Sequence, residues 1–290
     1  MVSVAVSVDC RTAIAQMAEL FRFVRERADT LIIADSTRAM ETARQNGLLA
    51  VVLQFQGTHP LEYDPNLVEL YWRLGVRVIQ LAYNHRSPVC DGCEEPANAG
   101  LSRLGRTVVG EMNRLGIVID VSHTGERASF EAIEVSSSPV VASHSNAAQV
   151  HASPRNISDE LIQAIAASGG VIGAVGFPAF VSSSSVPTLD EYIDHIVHVS
   201  ELVGPQHAAI GLDYWFRDPP RNLYDELIRS GDWSPTTYPP PPWRYPEGLD
   251  DASHFPTLTQ RLLDRGFSTS ETAGILGENW MRVFKRVWSS

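Results

Sequence analysis

Cysteine is scarce in this sequence: there are three, Cys10, Cys90 and Cys93, among 290 residues. An odd count this low provides no paired framework of the kind that staples small secreted domains, so a reducing compartment is expected. Long apolar runs are missing as well. No stretch approaches the roughly 18–20 consecutive apolar residues that a membrane-spanning helix needs. The apolar start, Met1–Val8, is too short and lacks the basic flank of a secretion signal. A cytoplasmic protein without a membrane span is therefore expected. Positive charge is also thin on the ground, with a net charge of −11 and no stripe of Lys or Arg. Nucleic-acid partners rely on such stripes, so none is expected. Finally, no Gly-rich phosphate loop follows the first strand candidate, which removes the usual mark of a dinucleotide-binding open sheet.

Strand-like and helix-like segments alternate from one end of the chain to the other. The strand candidates are Val2–Val8, Leu31–Ala34, Leu48–Gln56, Val76–Tyr83, Ile117–Ser122, Pro139–Ser143, Val171–Phe177 and Ala208–Asp213. Several are continuously apolar, as parallel strands buried on both faces must be. Between them lie amphipathic segments such as Ala13–Arg27, Leu67–Leu74, Leu104–Leu115 and Asp159–Ala167. This alternation predicts an α/β fold. Gln56, Tyr83, His123, His144 and Asp213 all fall at the C-terminal ends of strand candidates, where a (β/α)8 barrel of the TIM type gathers its chemistry. The expected architecture is thus one barrel domain over residues 1–290. It carries a Pro-rich excursion at Gly231–Asp251, read as an extended surface loop because a run of prolines suits neither helix nor central strand. That loop could be a lid, a subunit contact or an inert excursion. Ser268–Trp288 reads as a closing helix pair with Ser270 as its cap.

Two histidines carry the first chemical signal. Val118-Ile119-Asp120-Val121-Ser122-His123 and Val140-Val141-Ala142-Ser143-His144 each place an imidazole at the end of a buried strand. One such His is more often structural. Two at equivalent ends of adjacent parallel strands are expected to converge on one barrel mouth, either as ligands of zinc or a similar ion or as a metal-free proton-transfer pair. Asp213 ends the last strand candidate as a general base or proton carrier, or as an Arg-paired carboxylate. Arg155 follows the His144 strand, as a bidentate carboxylate binder or as a surface Arg. Cys90-Asp91-Gly92-Cys93 has the spacing of a redox pair or half a zinc site, but no second pair exists and a loop with two reduced thiols is the plainer reading.

Taken together, these segments resemble the membrane (renal) dipeptidase family of zinc hydrolases. The resemblance runs from about Asp35 to Phe284. It rests on Leu74-Gly75-Val76-Arg77, Gly100-Leu101-Ser102-Arg103-Leu104-Gly105, Glu111-Met112-Asn113-Arg114-Leu115-Gly116, Asp120-Val121-Ser122-His123, Ser143-His144-Ser145-Asn146, Pro154-Arg155-Asn156, Gly169-Gly170-Val171, and Gly277-Glu278-Asn279-Trp280 with Arg282. The resemblance implies a (β/α)8 barrel and a metal-activated water. It implies His123 and His144 as metal ligands, Arg155 on the substrate carboxylate, and Asp213 in proton transfer.

Three departures touch that chemistry. The bridging Glu of the family is Gln56 here, in Phe55-Gln56-Gly57, and a neutral amide is a poor bridge between two cations. The family's substrate-contacting His is Tyr83. The His-x-Asp of the first barrel strand is absent, because Met1–Val8 resembles the family's second strand. A divergent branch of the family shows the same Gln and the same loss of His-x-Asp. Seven barrel strands are then expected, with the opening filled by preceding residues or by another element, including one from a second subunit in a homo-oligomer. The resulting expectation is a metallohydrolase acting on a dipeptide or similar small amide, with at most one zinc ion per chain. Gln56 and Tyr83 would join Arg155 around the substrate. The alternatives are a relative repurposed for a non-peptidase reaction in specialised metabolism, or a catalytically inactive homologue.

Overall fold

Continuously apolar runs with β-branched residues become short parallel strands, and each polar or glycine-rich break ends one. The computed structural model describes residues 1–6, 8–214 and 218–288. The chain divides into two units, Met1–Val141 with Met281–Ser290, and Ala142–Trp280.

The first unit is built on a five-stranded parallel sheet. Its strands are β1 (Val2–Val6), β4 (Leu53–Gln56), β5 (Val76–Gln80), β6 (Val118–Asp120) and β7 (Val140–Val141), in the order β1-β4-β5-β6-β7. The expected first strand ran to Val8; Ser7 lies outside the described residues. Leu53, Phe55, Val76, Val78, Ile79, Val118, Ile119, Val140 and Val141 are all 0% exposed, which explains why these strands show no apolar–polar alternation. Two further strands, β2 (Leu31–Ile33) and β3 (Leu49–Val51), form a separate parallel pair.

That pair corrects the expected single strand Leu48–Gln56. The chain changes sheets at Val52, with β3 joining β2 while β4 runs between β1 and β5. Leu49 is 66% exposed whereas Leu53 is 0% exposed, so one apolar run serves two environments. Helices α1 (Cys10–Arg25), α2 (Thr37–Gln45), α3 (Leu67–Arg73), α4 (Arg103–Leu115) and α5 (Glu126–Val135) connect the strands. Their ends follow local chemistry. Asp9 Oδ1 accepts from Thr12 N–H at 2.7 Å to start α1, Ser102 Oγ accepts from Gly105 N–H at 3.0 Å to start α4, and Gly116 at φ 72° ends α4.

In the second unit β8 (Ile172–Ala174) and β9 (Ala208–Ile210) pair in parallel, and Ala142 bridges to Ile172. The seven parallel strands expected of the barrel are thus five in one sheet and two in another. Helices α6 (Asp159–Ala167), α7 (Pro178–Val181), α8 (Leu189–Val203), α9 (Arg221–Ser230), α10 (Phe255–Asp264) and α11 (Thr269–Ala273) belong to this unit, and α12 (Asn279–Trp288) closes the described chain. The carbonyls of Ala208 and Ile210 point away from β8, at an edge where exposed backbone acceptors would be costly. Asn279 Nδ2 donates to Ala208 O at 2.8 Å and Trp280 Nε1 donates to Ile210 O at 3.1 Å. Two residues of the Gly277-Glu278-Asn279-Trp280 motif therefore cap this strand edge.

Two other expectations change. The helix pair over Ser268–Trp288 is α11, a π-helical turn at Gly274–Glu278, and α12. Its cap is Ser268, not Ser270: Ser268 and Glu271 exchange side-chain-to-backbone hydrogen bonds in a capping box, which needs the Glu three residues after the cap. The Gly231–Asp251 loop has a surface and an interior. Pro235, Pro239, Pro240 and Pro242 are exposed, whereas Trp233, Tyr238, Trp243, Tyr245 and Leu249 are buried. Trp243 meets Phe177 edge-on with ring centroids 4.8 Å apart, and Trp233 stacks on Tyr238 at 4.8 Å. The prolines make the segment extended, and the aromatic rings fasten it down.

Candidate active site

One regularity organises the chemistry-bearing residues. Tyr83, His123, His144 and Asp213 each lie three residues beyond the last residue of a strand, after Gln80, Asp120, Val141 and Ile210. Gln56 is itself the last residue of β4. His123 and Asp213 both take left-handed backbone conformations, φ 60° and 52°. Such a turn redirects a side chain at the end of a strand and is uncommon outside glycine.

The first unit holds Gln56, Tyr83 and His123. Gln56 is 8%, Tyr83 8% and His123 3% exposed. The Tyr83 ring stacks on the His123 imidazole with centroids 4.3 Å apart and planes 22° from parallel. Asn84, which was not singled out from sequence, places Oδ1 2.6 Å from His123 Nδ1. Below them, β6 carries the buried Asp120, whose carboxylate accepts from Gln54 Nε2 and from Ser122 N–H, both at 2.9 Å. Cys90 and Cys93 are free thiols, and burial pushes the Cys90 thiol up, away from the thiolate that redox chemistry needs.

The second unit holds His144, Arg155 and Asp213. Close backbone approach positions His144: a Cβ at either Gly173 or Gly211 would run into the Ser143 carbonyl, so only glycine fits at these points of β8 and just beyond β9. Ser143 Oγ lies 2.7 Å from His144 Nδ1. Arg155 is 1% exposed and is the largest fully buried side chain among the described residues, which removes the surface-Arg reading. Its Nη2 donates to His144 O at 3.3 Å, and its guanidinium lies 5.3 Å from the Phe180 ring centroid. Asp213 makes no ion pair among the described residues, and its carbonyl accepts from Tyr245 Oη at 2.6 Å.

Residues that sequence reasoning passed over hold this half in shape. Asn146 Nδ2 donates to Val175 O and Phe180 O, and its Oδ1 accepts from Val175 N–H, all at 3.0 Å. His195 Nδ1 accepts from Ala147 N–H at 3.3 Å while its Nε2 donates to Val181 O at 2.9 Å. A carbonyl can only accept, so the His195 proton sits on Nε2. Burial pushes this imidazole down to about 4, and it stays neutral. The lone sequence signal for Asn146 was its place in Ser143-His144-Ser145-Asn146; His195, on a helix face, gave none.

Membrane dipeptidase (peptidase family M19) is the family whose model matches residues 5–229 and 242–289. The chain belongs to the membrane dipeptidase family. It is 29% identical over 279 residues to dipeptidase verJ of Clonostachys rogersoniana, covering 96% of this chain and 65% of that protein. It is 32% identical over 241 residues to an uncharacterised dipeptidase of Schizosaccharomyces pombe, covering 82% of this chain and 53% of that protein. The chain thus spans between half and two thirds of the length of these curated relatives. Among solved structures, an amidohydrolase from Pseudomonas aeruginosa aligns with a TM-score of 0.93 and 32% identity over 99% of this chain and 88% of that one. A metallopeptidase from Rhodobacter sphaeroides, bound to a phosphinate mimic of the dipeptide L-Ala-D-Ala, aligns at TM-score 0.82 and 22% identity over 96% of this chain and 75% of that one, which speaks to fold alone.

The donor set fits the family's metal in part. His123 offers an imidazole whose Nδ1 is already engaged by an amide oxygen, and His144 adds a second buried imidazole. Among the described residues no group of three or more His, Cys, Asp or Glu side chains is arranged to hold a metal ion. Each unit thus offers one buried strand-end imidazole as a donor, His123 in the first and His144 in the second. No described helix is long and apolar enough to cross a membrane.

Proposed function

We propose that this protein is a metal-dependent hydrolase of a dipeptide or dipeptide-like small amide, with His123 and His144 as protein ligands of one divalent ion per chain, most naturally zinc. The observation that carries this reading is the recurrence of chemically capable side chains three residues beyond four different strands in a chain of the dipeptidase family. A bound ion would supply Lewis acidity and lower the pKa of a coordinated water. The chain's own residues do the rest. Arg155, buried and held by the His144 carbonyl, binds the substrate carboxylate through its planar fork. Asp213, fixed by Tyr245, carries a proton to the departing amine. Tyr83 and Gln56 shape the substrate side of β4 and β5. Three free thiols suit a cytoplasmic setting.

A second reading, a family member repurposed for a reaction other than peptide hydrolysis, is favoured by Gln56 standing where the family has a bridging Glu. Elemental analysis of purified protein combined with a panel of L,L- and L,D-dipeptides separates the two. The first reading expects at most one metal per chain, loss of that metal in His144→Ala, and hydrolysis abolished by chelation and restored by zinc. Two metals per chain would refute it. Turnover that survives chelation would favour the repurposed enzyme.

A further inference from the structure

The proposed reaction leaves the Pro-rich segment Gly231–Asp251 without a task. We infer that this segment is a positioning wall on the substrate side of the second unit: its Tyr245 sets the Asp213 turn, and its Tyr238, through Phe180, sets the Arg155 guanidinium. The inference rests on the proposed function for what Arg155 and Asp213 do, and on geometry for how they are held. Phe177 lies three residues beyond Ala174, the last residue of β8, the same strand-end place that Asp213 takes after β9. The segment docks on this residue. Trp243, Tyr238 and Tyr245 lie with ring centroids 4.8, 5.7 and 6.5 Å from that of Phe177, so the rings gather at the strand end where parallel α/β folds keep their chemistry. Residues 230–241, with Trp233 and Tyr238, fall outside the stretches that the family model matches, so the family's common pattern does not account for them. Trp233, Tyr238, Trp243, Tyr245 and Leu249 are all buried, which makes the segment a fixed wall and not a lid that swings.

Asp213 is held from both sides of its turn. Its left-handed backbone, φ 52°, is an uncommon conformation that surrounding contacts must hold. Tyr245 Oη donates to Asp213 O at 2.6 Å, and Tyr214 Oη donates back to Leu249 O within the segment. Gly176 N–H donates to Leu212 O at 3.1 Å, and a Cβ on Gly176 would crowd both Leu212 O and the Tyr245 ring. Arg155 is reached through Phe180. The Phe180 carbonyl accepts from Asn146 Nδ2 at 3.0 Å and from Asn156 Nδ2 at 2.9 Å, which fixes the backbone and leaves the ring to its neighbours. Phe177 at 4.8 Å and Tyr238, edge-on at 5.6 Å, set that ring. The Arg155 guanidinium lies 5.3 Å from its centroid. A guanidinium is drawn to an aromatic face, so the pose of Phe180 biases the direction of the Arg155 fork.

Steady-state hydrolysis of a dipeptide from the panel, and of the same dipeptide as its C-terminal amide, tests this in Tyr245→Phe, Tyr238→Leu and Arg155→Lys. Tyr245→Phe keeps the ring and loses only the hydroxyl. It should lower kcat about 10- to 100-fold on both substrates at unchanged KM, the cost of a misaimed proton carrier. Tyr238→Leu should raise KM about tenfold for the free dipeptide, with kcat and the KM of the amide as in the wild type. Phe180→Leu, which removes the ring itself, carries the same expectation. General loss of packing does not produce that split. The inference fails alone if Arg155→Lys weakens the free dipeptide selectively while Tyr245→Phe or Tyr238→Leu behaves as the wild type. It also fails if Tyr238→Leu raises KM equally for dipeptide and amide, or if Tyr245→Phe moves KM together with kcat. If the wild type hydrolyses no dipeptide, or Arg155→Lys handles both substrates as the wild type does, the proposed function fails and this inference fails with it.

Discussion

At the scale of single residues, the buried histidines divide by what their ring nitrogens touch. His123 meets an amide oxygen and His144 meets a hydroxyl, each through Nδ1. His195 spends both nitrogens on backbone groups and is structural. Its pKa of about 4 lies below the roughly 6.5 of an unfolded chain, so the unfolded state takes up the proton first. Stability from this site is therefore complete above about pH 6.5 and is lost as the pH falls toward 4, by an amount on the order of 2–3 kcal/mol. In His195→Gln, whose amide can accept from Ala147 and donate to Val181, that portion of the acid loss should vanish. Urea unfolding of both proteins across pH 7 to 4 checks this, and parallel curves would show that His195 is not the source. Arg155 makes a second point at this scale. Its motif was legible, but its complete burial was not, because burial of a charge is decided by what folds over it.

Among the elements, turn and cap chemistry read well when the local sequence contained the whole signal. Helix α6 spans Asp159–Ala167 as expected from its periodicity. The cap before α11 was misplaced by two residues because Ser268 and Ser270 are both plausible until the reciprocal bond to Glu271 is seen. Ser268→Ala should cost about 1 kcal/mol, while Ser270→Ala should stay within about 0.5 kcal/mol; thermal unfolding of the two variants separates them. The strand run Leu48–Gln56 was read as one element because no residue within it forbids strand. Partner choice, not propensity, divided it at Val52. The Gly231–Asp251 loop shows the same limit. Its prolines announced an extended chain, but periodicity says nothing about aromatic rings spaced by turns. Trp243, packed on Phe177 and Trp233, should cost about 3 kcal/mol when changed to Ala. Denaturant unfolding would measure that cost, and limited proteolysis should cut first in this loop.

For the whole molecule, the expected order of alternating strands and helices agrees with the structure and with family membership, and each unit has its own core of buried apolar side chains. Chelation should consequently leave far-ultraviolet circular dichroism unchanged. Zinc restored at about one hundred times its dissociation constant should add about 2.7 kcal/mol of stability, readable as a higher unfolding midpoint; collapse of the fold on chelation would instead make the ion structural.

By itself, the sequence determined the α/β class, the family, and the identity of His123, His144, Arg155 and Asp213 as the residues to watch. These are local signals, since apolar runs, turn residues and short motifs act over a few positions. Tertiary structure alone decided that Asn84 meets His123, that Asn146 and His195 brace the His144 turn, that Arg155 is buried, and that Asn279 and Trp280 cap the edge of β9. Each of these joins residues from 11 to 71 positions apart, or depends on the packing around them. Hydrogen bonds and burial act through space, and no local pattern encodes which distant partner will arrive.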